Sequence, residues 1–311
     1  MNVLVTGGAG YIGSQLVQTL ASNPSIKNIV VYDNLTRDNY NFFLNADKKI
    51  EGNKVSFVHG DILDTRKLRK ALTGIDTVYH LAARVSTPFS NTDSHFYEQV
   101  NHWGSAELVY AIEDSKTVKH LIYLSSTSVY GSSKEEVSEE TVPNPKTFYS
   151  VSKLRGEEHV RRMFPKLNTQ IIRCGNVYGY SPAMRFDAVV NRFVFDAHVN
   201  NRISIHGSGK QHRSFIHVNK VVHVLNQLIH TEVPSGVYNL SDKNLEVLDL
   251  RDALKDIYPT MEFIYINQHL ELRELKVKAE SLLSNYIPLP ASDLAEELKE
   301  FKEHFSFTPA F

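Results

Sequence analysis

The 311-residue chain holds one cysteine, Cys174, so no disulfide can form within it, which fits a reducing compartment. It has almost no net charge, -1 from 34 basic and 35 acidic side chains, so no global field draws it to nucleic acid or to an anionic membrane. An acidic ligand must then be held by local arginines. No apolar run approaches membrane-spanning length. The opening stretch Asn2-Val3-Leu4-Val5-Thr6 reads as a strand and carries neither a basic region nor a small-residue cleavage pattern, so a soluble cytoplasmic protein without a signal peptide is expected. The 14 histidines show no H-x-x-x-H or Cys/His ligand spacing, and no metal site is expected. No G-x-S-x-G elbow accompanies Ser126 or any other serine, which speaks against a hydrolase triad. Internal repeats and low-complexity tracts are also missing.

What is present is alternation. Short apolar runs at 3–6, 28–32, 55–59, 77–80, 121–125 and 170–173 read as buried parallel strands. Helical spacing fills the gaps at 11–21, 65–72, 96–115 and 149–163. This order predicts an α/β fold with a Rossmann-type doubly wound parallel sheet, right-handed crossovers and ligands at the carboxyl ends of the strands. After about Asn176 the pattern becomes irregular, with turns at Gly207-Ser208-Gly209 and Pro234-Ser235-Gly236. The expected division is a dinucleotide-binding domain over 1–175 and a smaller α/β substrate domain over 176–311, interleaved with the first. The polar stretch 132–140 is expected to be a mobile loop. The basic run Arg66-Lys67-Leu68-Arg69-Lys70 reads as a solvated helix face.

Thr6-Gly7-Gly8-Ala9-Gly10-Tyr11-Ile12-Gly13 follows the first strand and opens a helix. In G-x-x-G-x-x-G one glycine permits the tight turn, one lets a pyrophosphate approach the backbone, and one allows close helix–strand packing. Exposed N–H groups and the helix dipole then favour a phosphate. Asp33 ends the second strand about twenty residues on, where a carboxylate bonds ribose hydroxyls and repels the extra phosphate of NADP. The expected cofactor is NAD. Asp61 and Ile62 are placed to cover the adenine, and Asp61 could equally cap the helix over 65–72.

Tyr149 and Lys153 stand at i and i+4, on one face of a helix. A nearby ammonium stabilises a phenolate, so the pair suits removal of a hydroxyl proton as hydride leaves. Ser125-Ser126-Thr127-Ser128-Val129-Tyr130-Gly131 ends a strand at the same sheet edge and can supply a third polar group, although such residues also serve turns.

With these motifs in order, the chain resembles the extended short-chain dehydrogenase/reductases, specifically the nucleotide-sugar epimerase/dehydratase group. The resemblance covers nearly the whole chain. It includes Asp33-Asn34-Leu35, His80-Leu81-Ala82-Ala83, Asn176-Val177-Tyr178-Gly179 and the run from Gly207 to Val218. It implies that Tyr149 is the general base and acid, that Lys153 binds the nicotinamide ribose, and that Ser126 is the catalytic hydroxyl. It also implies cofactor contacts from Gly7, Gly10, Tyr11, Ile12, Gly13, Asn34, Leu81, Ala82, Ala83, Asn101, Tyr149 and Lys153. Asn176 and Arg213 match positions that hold a nucleoside diphosphate. Arg273 is a second candidate arginine, or else a solvated charge within 271–278. Ser204 and His206 align with a strand lining the nucleoside pocket.

The group's 4,6-dehydratases carry acids just after the catalytic hydroxyl, and its decarboxylases a glutamate at the position of Ser128. Here Thr127 and Ser128 stand there. The resemblance therefore implies an NAD-dependent 4-epimerase of a nucleoside-diphosphate sugar, a UDP-sugar foremost. A 4-ketoreductase or dehydrogenase is the alternative, with a dehydratase or a non-catalytic regulator behind it. The segment 183–191 departs from the standard galactose epimerases and could mark a modified sugar. A homodimer through helices 96–115 and 149–163 is also implied.

Overall fold

The computed structural model describes residues 1–44, 54–85, 94–267 and 272–307. Its centre is a seven-stranded sheet. In chain order its first strands are β1 (Asn2–Thr6), β2 (Asn28–Asp33), β3 (Val55–His59), β4 (Thr77–His80) and β5 (His120–Ser126). A two-residue strand β6 (Glu136–Val137) lies outside it, and β7 (Asn168–Cys174) returns to it. Then come β8 (Asn176–Tyr178), β9 (Arg202–His206), β10 (His212–His217), β11 (Gly236–Leu240), β12 (Lys243–Glu246), β13 (Glu262–Ile266) and β14 (Lys276–Val277). The central order is β11-β7-β5-β4-β1-β2-β3, every neighbouring pair parallel. The strand order reverses between β1 and β4, and a crevice opens there at the carboxyl edge.

The helices are α1 (Tyr11–Ala21), α2 (Asn41–Leu44), α3 (Thr65–Ala71), α4 (Ser94–Tyr97), α5 (Gly104–Glu113), α6 (Phe148–Arg161), α7 (Val189–Asn200), α8 (Val218–Gln227), α9 (Val247–Ile257) and α10 (Leu294–Glu303). Between α4 and α5 the chain winds as a π-helix over Glu98–Trp103. The central strands bury both faces, as parallel strands must. One face packs Val3, Val5, Ile29 and Val31 against Leu16, Val17 and Leu20 of α1 and Val221 and Val224 of α8. The other packs Leu4, Val78 and Leu121 against Leu68, Leu108, Ile112 and Val160. Among the described residues no helix is long and apolar enough to cross a membrane.

The C-terminal unit has its own core of Phe193, Val194, Ile203, Ile205, Phe215, Leu250, Leu298 and their neighbours. Its sheets are β12-β10-β8 and β13-β9. The chain does not divide cleanly after 175, because α8 packs on α1 and β11 extends the central sheet beside β7. Residues 132–140 are not the free loop their polarity suggests. Glu136 and Val137 pair with Lys276 and Val277, and Val137 is buried. Glu139 Oε1 accepts from the backbone N–H groups of Asn239 and Leu282. One inward valine and one capping carboxylate thus tie the stretch down, and neither departs from loop composition.

Candidate active site

A cavity of about 1010 Å³ lies over the carboxyl ends of β1, β2, β4, β5 and β7 and continues beneath the C-terminal unit. The glycine turn forms its floor. Gly7 has φ +71, and a Cβ there would meet the Ala82 nitrogen at 2.5 Å. At Gly13 a Cβ would meet the Gly7 carbonyl at 2.2 Å, so this glycine sets how close α1 sits to the turn. At Gly10 the same atom meets that carbonyl at 3.1 Å and nothing else within 4 Å, so this glycine leaves space on the cavity side.

Helices α3 and α6 begin with side-chain caps from Asp64 and Thr147, whereas no side chain caps α1 at Gly10 and no acid lies in its first turn. Its leading N–H groups and positive dipole end, at Tyr11, Ile12 and Gly13, line the cavity. The Tyr11 hydroxyl points elsewhere, donating to the Gly179 carbonyl at 2.6 Å and joining the two halves of the molecule.

Asp33 ends β2 in the cavity wall. Its carboxylate accepts from the N–H groups of Ala9 (3.1 Å) and Leu35 (2.8 Å). Burial nevertheless raises its pKa, against those hydrogen bonds. Asn34 donates to Asp61 at 3.0 Å, and Asp61 also accepts from the Leu63 N–H. The cap of α3 is Asp64, which accepts from the Lys67 N–H, so Asp61 serves the turn before it. Ile62 is buried against Gly104 and still touches the cavity, while Leu81, Ala82 and Ala83 form the opposite wall. Asn101 does not reach the cavity. It lies in the π turn, fully buried, with its amide bonded to both backbone groups of Arg84 and to the Ser152 hydroxyl. That position holds the wall from behind. The uncapped helix, the open Gly10 and the Asp33 carboxylate fit a dinucleotide.

Tyr149, Lys153 and Ser126 all line this cavity. Thr147 and Ser150 form a capping box that starts α6 two residues before Tyr149. Ser126 is extended and accepts from the Ser128 N–H at 3.2 Å, which turns its hydroxyl toward Tyr149. Burial raises the Tyr149 pKa, while Arg185 and the Ser126 hydrogen bond oppose it. Lys153 is the more displaced group. Burial pushes its pKa down to about 7, and the Glu157 carboxylate resists that fall. The ammonium lies 4.2 Å over the Tyr123 ring. Glu157 is itself buried, accepting from Ser125 Oγ at 2.6 Å and twice from Arg173, at 3.0 and 2.7 Å. His80 below is bonded to Thr6 and Ser105, and burial lowers its pKa to about 3, so it is neutral. Sequence reading missed Arg185, Arg173 and Glu157 as site residues: the fold alone brings the two arginines here, whereas Glu157 stands one turn beyond Lys153 on α6 and the same i, i+4 spacing could have found it.

Further out, Asn176 donates to the Ser214 carbonyl at 2.9 Å and faces the cavity. Ser204 and His206 alternate with buried Ile203 and Ile205 on β9, which turns them to the cavity. Arg213 on β10 and Arg273 meet there. The segment of Arg273 is drawn in by the Leu275 N–H, which donates to the His212 carbonyl at 3.0 Å. Burial and Arg273 push the Arg213 pKa down to about 10, and burial lowers that of Arg273 too. Among the described residues neither guanidinium has a carboxylate within ion-pair distance. Two desolvated cations side by side are an anion site. Of the alternative readings of Arg273, the exposed one does not match this half-buried place.

The family model described as the NAD dependent epimerase/dehydratase family matches residues 3–241. A dTDP-D-glucose 4,6-dehydratase of Homo sapiens is 28% identical over 311 residues, covering 97% of this chain and 83% of the relative. An ADP-L-glycero-D-manno-heptose-6-epimerase of Brachyspira hyodysenteriae is 30% identical over 280 residues, covering 85% of this chain and 83% of the relative. Among solved structures, the UDP-glucuronic acid 4-epimerase from Bacillus cereus, crystallised with UDP-glucuronic acid and NAD, superimposes with TM-score 0.87 at 26% identity over 98% of both chains.

Proposed function

We propose that this chain, which belongs to the NAD dependent epimerase/dehydratase family and is thereby an NAD-dependent enzyme of nucleotide sugars, inverts C4 of a UDP-sugar through a transient 4-keto sugar. One observation supports epimerisation above the family's other reactions. Among the described residues the groups that act on the Tyr149 hydroxyl are Arg185, Ser126, Cys174 and Tyr97, none of them a carboxylate, and Ser128 lines the same cavity. Loss of water from the sugar needs a proton donor at the leaving oxygen. Among the described residues the carboxylates lining the cavity are Asp33 and Asp61 on the cofactor side, Asp187 paired with Arg37 and Arg185, and Asp196 paired with Arg192. Asp187 has its pKa lowered by those arginines, which makes it a poor acid near neutrality.

The residues divide the work. Gly7, Gly10, Gly13, Asp33 and Lys153 hold NAD, which supplies the hydride acceptor and donor. Ser126 positions the C4 hydroxyl, and Tyr149 takes its proton and later returns it. Arg213 and Arg273 hold the diphosphate, so the sugar can turn about a fixed anchor. UDP is favoured by the likeness to a UDP-sugar 4-epimerase over the whole chain.

The test is incubation of purified protein with UDP-sugars and no added cofactor. Catalytic appearance of C4-inverted sugar is expected. Product formed only in proportion to added NAD(H) would indicate a dehydrogenase or reductase instead, and a 4-keto-6-deoxy product would indicate a dehydratase. The chain is also proposed to pair as a homodimer. Trp103 and Tyr110 are exposed and lie seven residues apart, two turns along the same face where α5 begins, which suits contact with a second copy. Sedimentation at micromolar concentration reads this directly.

A further inference from the structure

We propose that His102 and His159 form a binding site for a zinc-type divalent metal ion, outside the catalytic cavity. His102 lies one residue before the end of the π turn between α4 and α5, and His159 lies near the end of α6. Their Nε2 atoms face each other at 3.2 Å, with ring centres 5.2 Å apart. Two nitrogens each about 2.05 Å from a tetrahedral ion lie about 3.3 Å apart, so the pair already has the spacing of two ligands.

The surroundings are those of a built site. His102 Nδ1 lies 2.9 Å from Glu98 Oε2. An Nδ1–H donated to that carboxylate leaves Nε2 with a lone pair aimed at His159, the arrangement in which a carboxylate orients a metal-bound imidazole. Glu98 is fixed in turn by Arg155 at 2.9 Å. Trp103 stacks on His102 with ring centres 4.7 Å apart, and Tyr110 meets His159 edge-on. Without metal, one imidazole must donate Nε2–H to the other. On binding, His159 shifts that proton to Nδ1, and both Nε2 lone pairs meet the ion with no net proton released. Among the described residues no group of three His, Cys, Asp or Glu side chains gathers around one point, so one chain supplies two ligands.

The ion would join the π turn that carries Asn101 to the helix that carries Tyr149 and Lys153. Binding to the folded state alone raises stability. The experiment titrates metal-stripped, untagged full-length protein with Zn2+, followed by calorimetry and melting temperature. Co2+ serves as a second probe, because imidazole ligation gives it a visible absorption band. The expected result is Zn2+ uptake with a raised melting temperature, lost in His102→Ala and in His159→Ala. Glu98→Gln should weaken the affinity about 10- to 100-fold. NAD affinity of the variants reports that they are folded. Absence of Zn2+ uptake and of the Co2+ band in the unaltered protein overturns the proposal. So do titrations of the folded His102→Ala variant that match the parent.

Discussion

Burial displaces Lys153 downward and Tyr149 upward, so in the protein alone each moves toward its uncharged form. The i and i+4 spacing suggests a lysine that lowers the tyrosine pKa. In the structure the groups that oppose the rise are Arg185 and Ser126. Lys153 depends on Glu157, one helical turn further along, to stay protonated. This gives a signed prediction. A lysine is charged below its pKa, and removing the Glu157 charge lowers that pKa further below about 7. In Glu157→Gln the alkaline limb of kcat/KM should therefore move to lower pH. The same change leaves Arg173 buried without its counter-charge, which costs about 3–5 kcal/mol in urea unfolding. An unshifted pH profile in folded Glu157→Gln protein sinks the proposed coupling. Tyr149→Phe removes the proposed proton carrier and nothing that touches the glycine turn. Turnover should fall by about 10²–10⁴-fold, while NAD titration by fluorescence stays unchanged.

The elements most legible in sequence are those whose signal is local. β3 and β4 occupy 55–59 and 77–80 as their apolar runs require, and α1 starts at Tyr11 directly after the glycine turn. What sequence conceals is pairing at a distance. β11 reads as part of the C-terminal unit, yet it closes the central sheet because Val237 and Tyr238 meet Ile171 and Ile172 of β7. The site divides the same way. Tyr149, Lys153 and the glycines announce themselves by spacing, whereas His102 and His159 are separated by 57 positions and no ligand pattern joins them. The glycine turn itself separates packing from binding. A Cβ at Gly13 would collide with backbone at 2.2 Å and must push α1 off the sheet. Gly13→Ala should lower stability by about 1–3 kcal/mol, read by thermal or urea unfolding. Gly10→Ala meets only one atom, at 3.1 Å, so the fold should persist while NAD affinity drops. Equal stability losses in both variants would show that the turn is shaped by packing alone.

Across the whole molecule, the two units meet over a shared cavity, and among the described residues Arg213 and Arg273 have no carboxylate within ion-pair distance, although other cations of the C-terminal unit are paired. The net charge of -1 shows that this is placement rather than bulk charge. Arg213 and Arg273 repel each other and are both desolvated, so they strain the protein alone and favour a bound anion, proposed above to be a diphosphate. Stability and affinity should therefore move in opposite directions. Arg213→Gln or Arg273→Gln should raise the melting temperature of the ligand-free protein, by an amount equivalent to about 0.5–2 kcal/mol. Each loses a charged hydrogen bond to phosphate, which costs about 1.5–3 kcal/mol of UDP affinity, roughly ten- to a hundredfold. UDP at a hundred times its Kd should stabilise the parent by about 2.7 kcal/mol. At the same UDP concentration the variants should gain far less. The pair of measurements distinguishes an anion site from a structural pair of arginines. A structural pair would lose stability on substitution and keep its response to UDP, because its guanidiniums would be spent on the protein rather than held for the ligand.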